Sequence, residues 1–247
     1  MTNNKNTMLV LVVGASGATG RHLVNQLLLK GNKVRIIVRS KAHLPKSWFE
    51  STNLEIITAS ILELTEKQLI QYTSDCDTIA SCLGHVVSFK GIYGEPRRLV
   101  TDATKRLCHA VKNHELKSPV KFVLMNTSGN SNRDINEPIS FAQKCVIGLL
   151  RLLLPPHVDN EKAADYLRTQ IGQSDKHIEW VAVRPDGLIN EDEVTAYEIY
   201  PSPIRSAIFN AGKVSRINVG HFMSELINDN TLWNEWKGQM PVIYSKH

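Results

Sequence analysis

VVGASGATGRHLVNQLL, residues 12–28, is the stretch that decides how this chain is read. A run of β-branched residues ends in glycines at every third position, Gly14, Gly17 and Gly20, and a helical pattern follows. Met8 to Val13 reads as a buried strand. Arg21 to Lys30 reads as a helix with Val24, Leu27 and Leu28 on one face, closed by Gly31. A helix that opens on such a turn offers unpaired N–H groups and a partial positive charge, the setting that holds a phosphate. Glycines permit the tight turn, let the backbone approach a pyrophosphate and let the helix lie close to the sheet. Gly14, Ser16, Gly17, Ala18, Thr19 and Gly20 are therefore candidate pyrophosphate contacts, with hydroxyls on Ser16 and Thr19. The same spacing also serves tight β-to-α packing with no ligand at all.

Working outward, strands and helices alternate. Lys33–Val38, Leu54–Ala59, Asp77–Cys82, Val120–Met125 and Glu179–Val183 read as further strands. Glu66–Tyr72, Arg97–His114, Phe141–Leu154, Glu161–Gln170 and Gly220–Asn228 read as helices, with Pro155 and Pro156 stopping the third of these. This order predicts an α/β fold with a doubly wound parallel sheet and right-handed crossovers. No repeat, low-complexity segment or linker interrupts it, so one domain is expected over residues 1–247. The less regular stretch 186–213 is expected to form a small substrate-side lobe over the strand ends.

The second strand ends IIVRS. In dinucleotide folds an acidic residue at that place accepts the ribose hydroxyls; here Arg39 stands there, followed by Ser40. A carboxylate repels a 2′-phosphate and a guanidinium pairs with one, so the pattern points to NADP as cofactor. A solvated arginine at a strand end is the plainer alternative.

Composition narrows the classes. The chain has 247 residues, 42% apolar and 21% charged, enough to bury a core. A net charge of +5 is spread without blocks, which favours anionic small molecules; no nucleic-acid partner is expected. Four cysteines carry no CxxC pair and no metal-ligand spacing, so free thiols and no metal are expected. No segment reads as a signal peptide or membrane span, and a cytoplasmic location is expected.

GASGATG at 14–20, VRS at 38–40, SCLG at 81–84, NTSG at 126–129, VRPDGL at 183–188 and SRINVGHFM at 215–223 occur in an order and spacing that resembles the atypical short-chain dehydrogenase/reductases, specifically their NmrA-like, NAD(P)H-binding branch. The resemblance covers nearly the whole chain and implies a Rossmann-like fold. It implies that Cys82, Leu83 and Gly84 border a ribose. Asn126 and Thr127 would lie near the nicotinamide ribose, with Pro185, Asp186 and Gly187 passing close to the nicotinamide. It also places Lys162 at the family lysine, as a ribose and catalytic contact, and Ser128 near the family serine. A first-turn surface lysine and ordinary turn chemistry are the plainer readings of these two.

Two departures stand out. TASIL, 58–62, lacks the aspartate that relatives often place near the adenine. None of the six tyrosines has a lysine four residues later, and Val158 occupies the tyrosine position. His157 is a candidate proton donor in its place, or a loop histidine after two prolines. The reading is an NADPH-dependent reductase of a small carbonyl, quinone or flavin-like acceptor. The alternative is a non-catalytic NADP-binding sensor or assembly protein. The substrate is expected between the connection 84–98, where His85, Phe89 and Tyr93 are candidate contacts, the 130–160 region and the 186–213 lobe. The leucine-rich helix at 140–154 is read as core packing, a homodimer surface or an apolar wall over the nicotinamide.

Overall fold

The structure is a computed structural model and describes residues 7–85 and 88–246; the side chains of Phe89 and Lys90 also lie outside the described residues. Strand β1 (Leu9–Val13) runs into helix α1 (Ala18–Leu29), and β2 (Lys33–Val38) follows. After a 3-10 turn at Lys46–Phe49 come β3 (Leu54–Thr58), α2 (Glu66–Thr73), β4 (Thr78–Ser81), the short α3 (Phe89–Tyr93) and α4 (Leu99–Lys112). Next are β5 (Val120–Met125), α5 (Phe141–Leu153), α6 (Pro155–Tyr166) with a π turn at Leu167–Ile171, and β6 (Ile178–Pro185). The chain ends with β7 (Gly187–Ile189), β8 (Tyr197–Tyr200), β9 (Lys213–Ser215), α7 (Arg216–Asn228), α8 (Asn230–Trp236) and β10 (Val242–Ser245).

Eight strands form one sheet in the order β3-β2-β1-β4-β5-β6-β10-β8, parallel except for β8, which pairs antiparallel with β10. The strand order reverses at β1, between β2 and β4, the crevice where open α/β sheets place ligands. Both faces are covered, and alternation along β1 shows how. Val10 and Val12 pack into a core with Leu23, Leu27, Phe222 and Met223 of α1 and α7. Leu11 and Val13 face the opposite core with Leu107, Val111, Ala163 and Leu167 from α4, α6 and the π turn. The first of these cores closes tightly because Gly220 in α7 lies against α1. A Cβ there would stand 2.8 Å from the Leu23 nitrogen.

The parallel sheet is as expected; the antiparallel β8 edge and the small β7–β9 pair arise from residues 187–215. Pro155 and Pro156 do end α5, but they also open α6, since a first helical turn needs no N–H from them. The helix expected from Glu161 therefore begins six residues earlier, and His157 sits in its first turn rather than in a loop.

Arg184, fully buried on β6, ties together the loops that surround the ends of β5, β6 and β8. Its guanidinium donates to the carbonyls of Met240 at 2.6 Å, Asn130 at 2.8 Å and Pro201 at 3.2 Å, and lies 2.7 Å from a Glu137 carboxylate oxygen. Arg184→Met leaves the buried Glu137 carboxylate with the Asn132 N–H but without a countercharge, and should cost about 3–5 kcal/mol in denaturant unfolding. Arg184→Met combined with Glu137→Leu should recover part of that loss. A single variant as stable as the parent would refute the role.

Candidate functional site

The glycine turn is built as its sequence requires. Gly14 has φ +76°, and a Cβ there would stand 2.4 Å from the Cys82 carbonyl carbon, so neither the conformation nor the space admits a side chain. A Cβ on Gly20 would meet the Gly14 oxygen at 2.2 Å. The Gly17 nitrogen closes the turn on the Gly14 carbonyl at 3.0 Å. Arg21 braces it, donating to the Ser16 carbonyl at 3.1 Å and to the His43 carbonyl at 2.7 Å. Helix α1 has no side-chain cap and no acidic residue in its first turn. Its leading N–H groups are thus left to whatever binds there.

A cavity of about 710 Å3 opens from this turn across the ends of β1 to β4. Among the sequence candidates, Gly14, Ser16, Gly17, Arg39, Cys82, Leu83 and Gly84 line it. Ala18 and Ser40 are exposed beside the turn and the second strand end, while Thr19 and Gly20 are buried. The Ser40 hydroxyl is engaged, accepting from the Ala42 nitrogen at 3.1 Å. Burial pushes the Cys82 thiol up to about 12, so it lines the cavity as a neutral group. The cavity's far wall is Ala59 to Glu63, with Pro96 and Leu99. The missing aspartate of TASIL is thus followed at 63 by a carboxylate that reaches this wall, a contact the motif reading did not find.

The other candidates gather farther along the same sheet edge, after β5 and β6. The Asn126 nitrogen donates to the Val183 carbonyl at 2.7 Å, and the Ser128 nitrogen to the Pro185 carbonyl at 3.0 Å, which joins the two loops. Asn126 is buried and engaged: its amide donates to the Asn160 carbonyl and its oxygen accepts from Thr127 and Asn130. The Ser128 hydroxyl donates to Asp186 at 3.0 Å, and Asp186 accepts from the Gly212 nitrogen at 2.8 Å. Gly187 is held by the Gly212 carbonyl at 3.1 Å. His157 lies against Gly129, where a Cβ would stand 3.5 Å from the imidazole Cε1. Its Nε2 is buried, has no hydrogen-bond partner among the described residues and stands 3.4 Å from a Glu161 oxygen.

Lys162 is not brought to this group. It is exposed and lines a separate groove of about 610 Å3 between α4 and α6, with Arg98, Lys105 and Tyr166. The charged neighbours that α6 does turn inward are Asp159 and Glu161. Asp159 accepts from the Val100 and Thr101 nitrogens at 2.8 and 2.9 Å and from His85 Nε2 at 2.9 Å. Burial alone would raise its carboxyl; the bonds from His85, Thr101 and Val100 hold it below the usual range. His85 also meets the Gly91 carbonyl at 3.2 Å, so it fastens the connection over the cavity to α6 and does not face the cavity. The Tyr93 hydroxyl is likewise engaged, donating to the Leu153 carbonyl at 3.1 Å. Phe89 was a stacking candidate whose side chain is outside the described residues.

A family described as NAD(P)H-binding matches residues 14–230. The chain belongs to that family. This NAD(P)H-binding chain also matches many solved structures. A short-chain dehydrogenase/reductase from Veillonella parvula superposes with a TM-score of 0.70 at 15% identity, covering 97% of this chain and 94% of that one. A second one, of wide type, from the same organism and solved in complex with NADP, gives 0.67 at 16% identity, covering 96% and 94%. A Streptococcus pneumoniae protein named as an NADH-flavin reductase gives 0.67 at 16% identity, covering 97% and 100%. At such identities the likeness is one of fold. No curated protein sequence matches the chain. The uncapped α1, the excluded Cβ at Gly14 and the adjoining cavity fit a dinucleotide pyrophosphate, as the family requires.

Burial would raise the Glu161 carboxyl, but His157 and the Arg151 guanidinium, 2.8 Å away, outweigh it and hold it at about 2. A carboxylate held that low adds stability present in full above its ordinary 4.5 and lost as pH falls toward about 2. Thermal melting temperatures of the parent should therefore fall more steeply below pH 4.5 than those of Glu161→Gln. Parallel curves would show that the contact carries no such linkage.

Proposed function

We propose that the protein is an NADPH-dependent reductase of a small carbonyl, quinone or flavin-like acceptor. The observation that carries this reading is Arg39. It is exposed at the end of β2, lines the cavity that begins at the uncapped α1, and makes no ion pair among the described residues. A free guanidinium at the ribose position suits a 2′-phosphate.

In this reading the backbone from Gly14 to Gly20 grips the pyrophosphate, Arg39 with Ser40 selects NADP over NAD, and Cys82 to Gly84 border the ribose. Asn126, Thr127, Pro185 and Gly187 form the nicotinamide end, their loops already locked by mutual hydrogen bonds. NADPH supplies a hydride when bound. His157, whose buried Nε2 faces Glu161, holds the proton that the reduced acceptor takes up. Ser128 positions Asp186 and through it Gly212. Lys162 stands in another groove and is given no part in the proton transfer.

The engagement of Ser128 by Asp186, with Lys162 set apart, favours a second reading: a protein that binds NADP(H) and turns nothing over. Fluorescence titration followed by a panel of quinones, flavins and aldehydes separates the two. Oxidation of NADPH by one acceptor class supports the reductase; tight binding with no oxidation supports the sensor. Arg39→Ala should weaken NADPH binding by about 1.5–3 kcal/mol and leave NADH nearly unchanged. Equal losses for both nucleotides would overturn the 2′-phosphate assignment.

A further inference from the structure

Helix α5 is unlike the other long helices. Of its thirteen residues only Gln143 and Ile147 are buried. Phe141 is 82% exposed and Leu152 79%, with Leu149 and Leu153 also more than half or half exposed at 54% and 50%. Phe141, Cys145, Leu149 and Leu152 follow the helical repeat, so they form one outward stripe rather than scattered exposures. The expectation of core packing is not met for this face. A second apolar pair is also exposed: Ile204 and Phe209, in the loop before β9. The two segments leave one point of the molecule, because the Arg184 guanidinium holds both Glu137, four residues before Phe141, and Pro201, three before Ile204. Exposed apolar stripes of this kind mark a docking face.

Charge decides what docks. No carboxylate occurs from residue 138 to 158 or from 199 to 224. Lys144, Arg205 and Lys213 are exposed in these segments and make no ion pair among the described residues. An isologous contact between two copies would set these cations against one another, which is costly. A surface that is apolar inside and anionic outside meets both features. We propose that α5, together with the Ile204–Phe209 loop, docks on an anionic lipid surface, with the phenylalanines and leucines in the acyl boundary and Lys144, Arg205 and Lys213 at the headgroups. No helix of the described residues is long and apolar enough to cross a membrane, so the contact is one of lying on the surface. The proposal stands apart from the reductase reading, since docking needs no turnover.

The test is flotation of the full chain with vesicles of phosphatidylcholine alone and of phosphatidylcholine mixed with phosphatidylglycerol. The protein should float with the anionic vesicles, and salt should release it. Leu149→Gln with Leu152→Gln, and separately Lys144→Glu with Arg205→Glu, should each cut the bound fraction by about tenfold or more. NADPH titration of each variant reports on folding independently of lipid. Three results would overturn the proposal: no flotation of the parent, flotation indifferent to both double variants, or a dimer that the leucine variant disperses while vesicles are ignored.

Discussion

The buried guanidinium of Arg184 is the contact on which the ordering of the segments around the ends of β5 and β6 depends. It lies on a central strand, yet it bonds to the loop after β5, to the segment before α5, to the turn after β8 and to the approach to β10. None of these segments has enough regular structure to fix its own position. A single fully desolvated cation, with its donors nearly all used, does it for them. The Ser128–Asp186–Gly212 chain extends the same ordering to the loops after β5 and β6.

The dinucleotide half is organised differently. It needs few side chains, because the turn between β1 and α1 is made of backbone and the absence of Cβ atoms. Gly14 against Cys82 sets how near the first strand end approaches the fourth. Gly220 against Leu23 sets how near α7 approaches α1. Packing at these two points aligns the helix with the sheet, and the helix then presents its N–H groups along the cavity.

These differences explain what the sequence made legible. Strands β2 and β5 are found to the residue, because each is a mainly apolar run bounded by polar turns. The glycine turn and Arg39 are local and are likewise read directly. The strands β8 and β10 escape: YEIY and VIYS are too short to show a period, and their pairing spans more than forty residues. The helix over 155–166 begins earlier than the pattern shows, because a proline pair that stops one helix also opens the next. Asp159 and Glu161 give no signal at all in one dimension. Their partners, His85, Val100 and Thr101 for the one and Arg151 for the other, come together only when α4, α5 and α6 pack. The lysine at 162 illustrates the converse, since a motif position does not tell which side of its helix a residue occupies.

The Asp159 carboxylate has one more effect. Helix α4 also begins at the ligand-bearing edge of the sheet and has no cap of its own, so it would be a rival landing place for a phosphate group. Asp159 fills that place permanently with a charge borrowed from α6. Thr65, Ser140, Ser215 and Asp229 close α2, α5, α7 and α8 in the ordinary way, and Pro155 and Pro156 deprive α6 of donors. The fold thereby removes false addresses for an anion and leaves α1 as the address that answers, a form of selectivity achieved by occupying the wrong doors rather than by embellishing the right one.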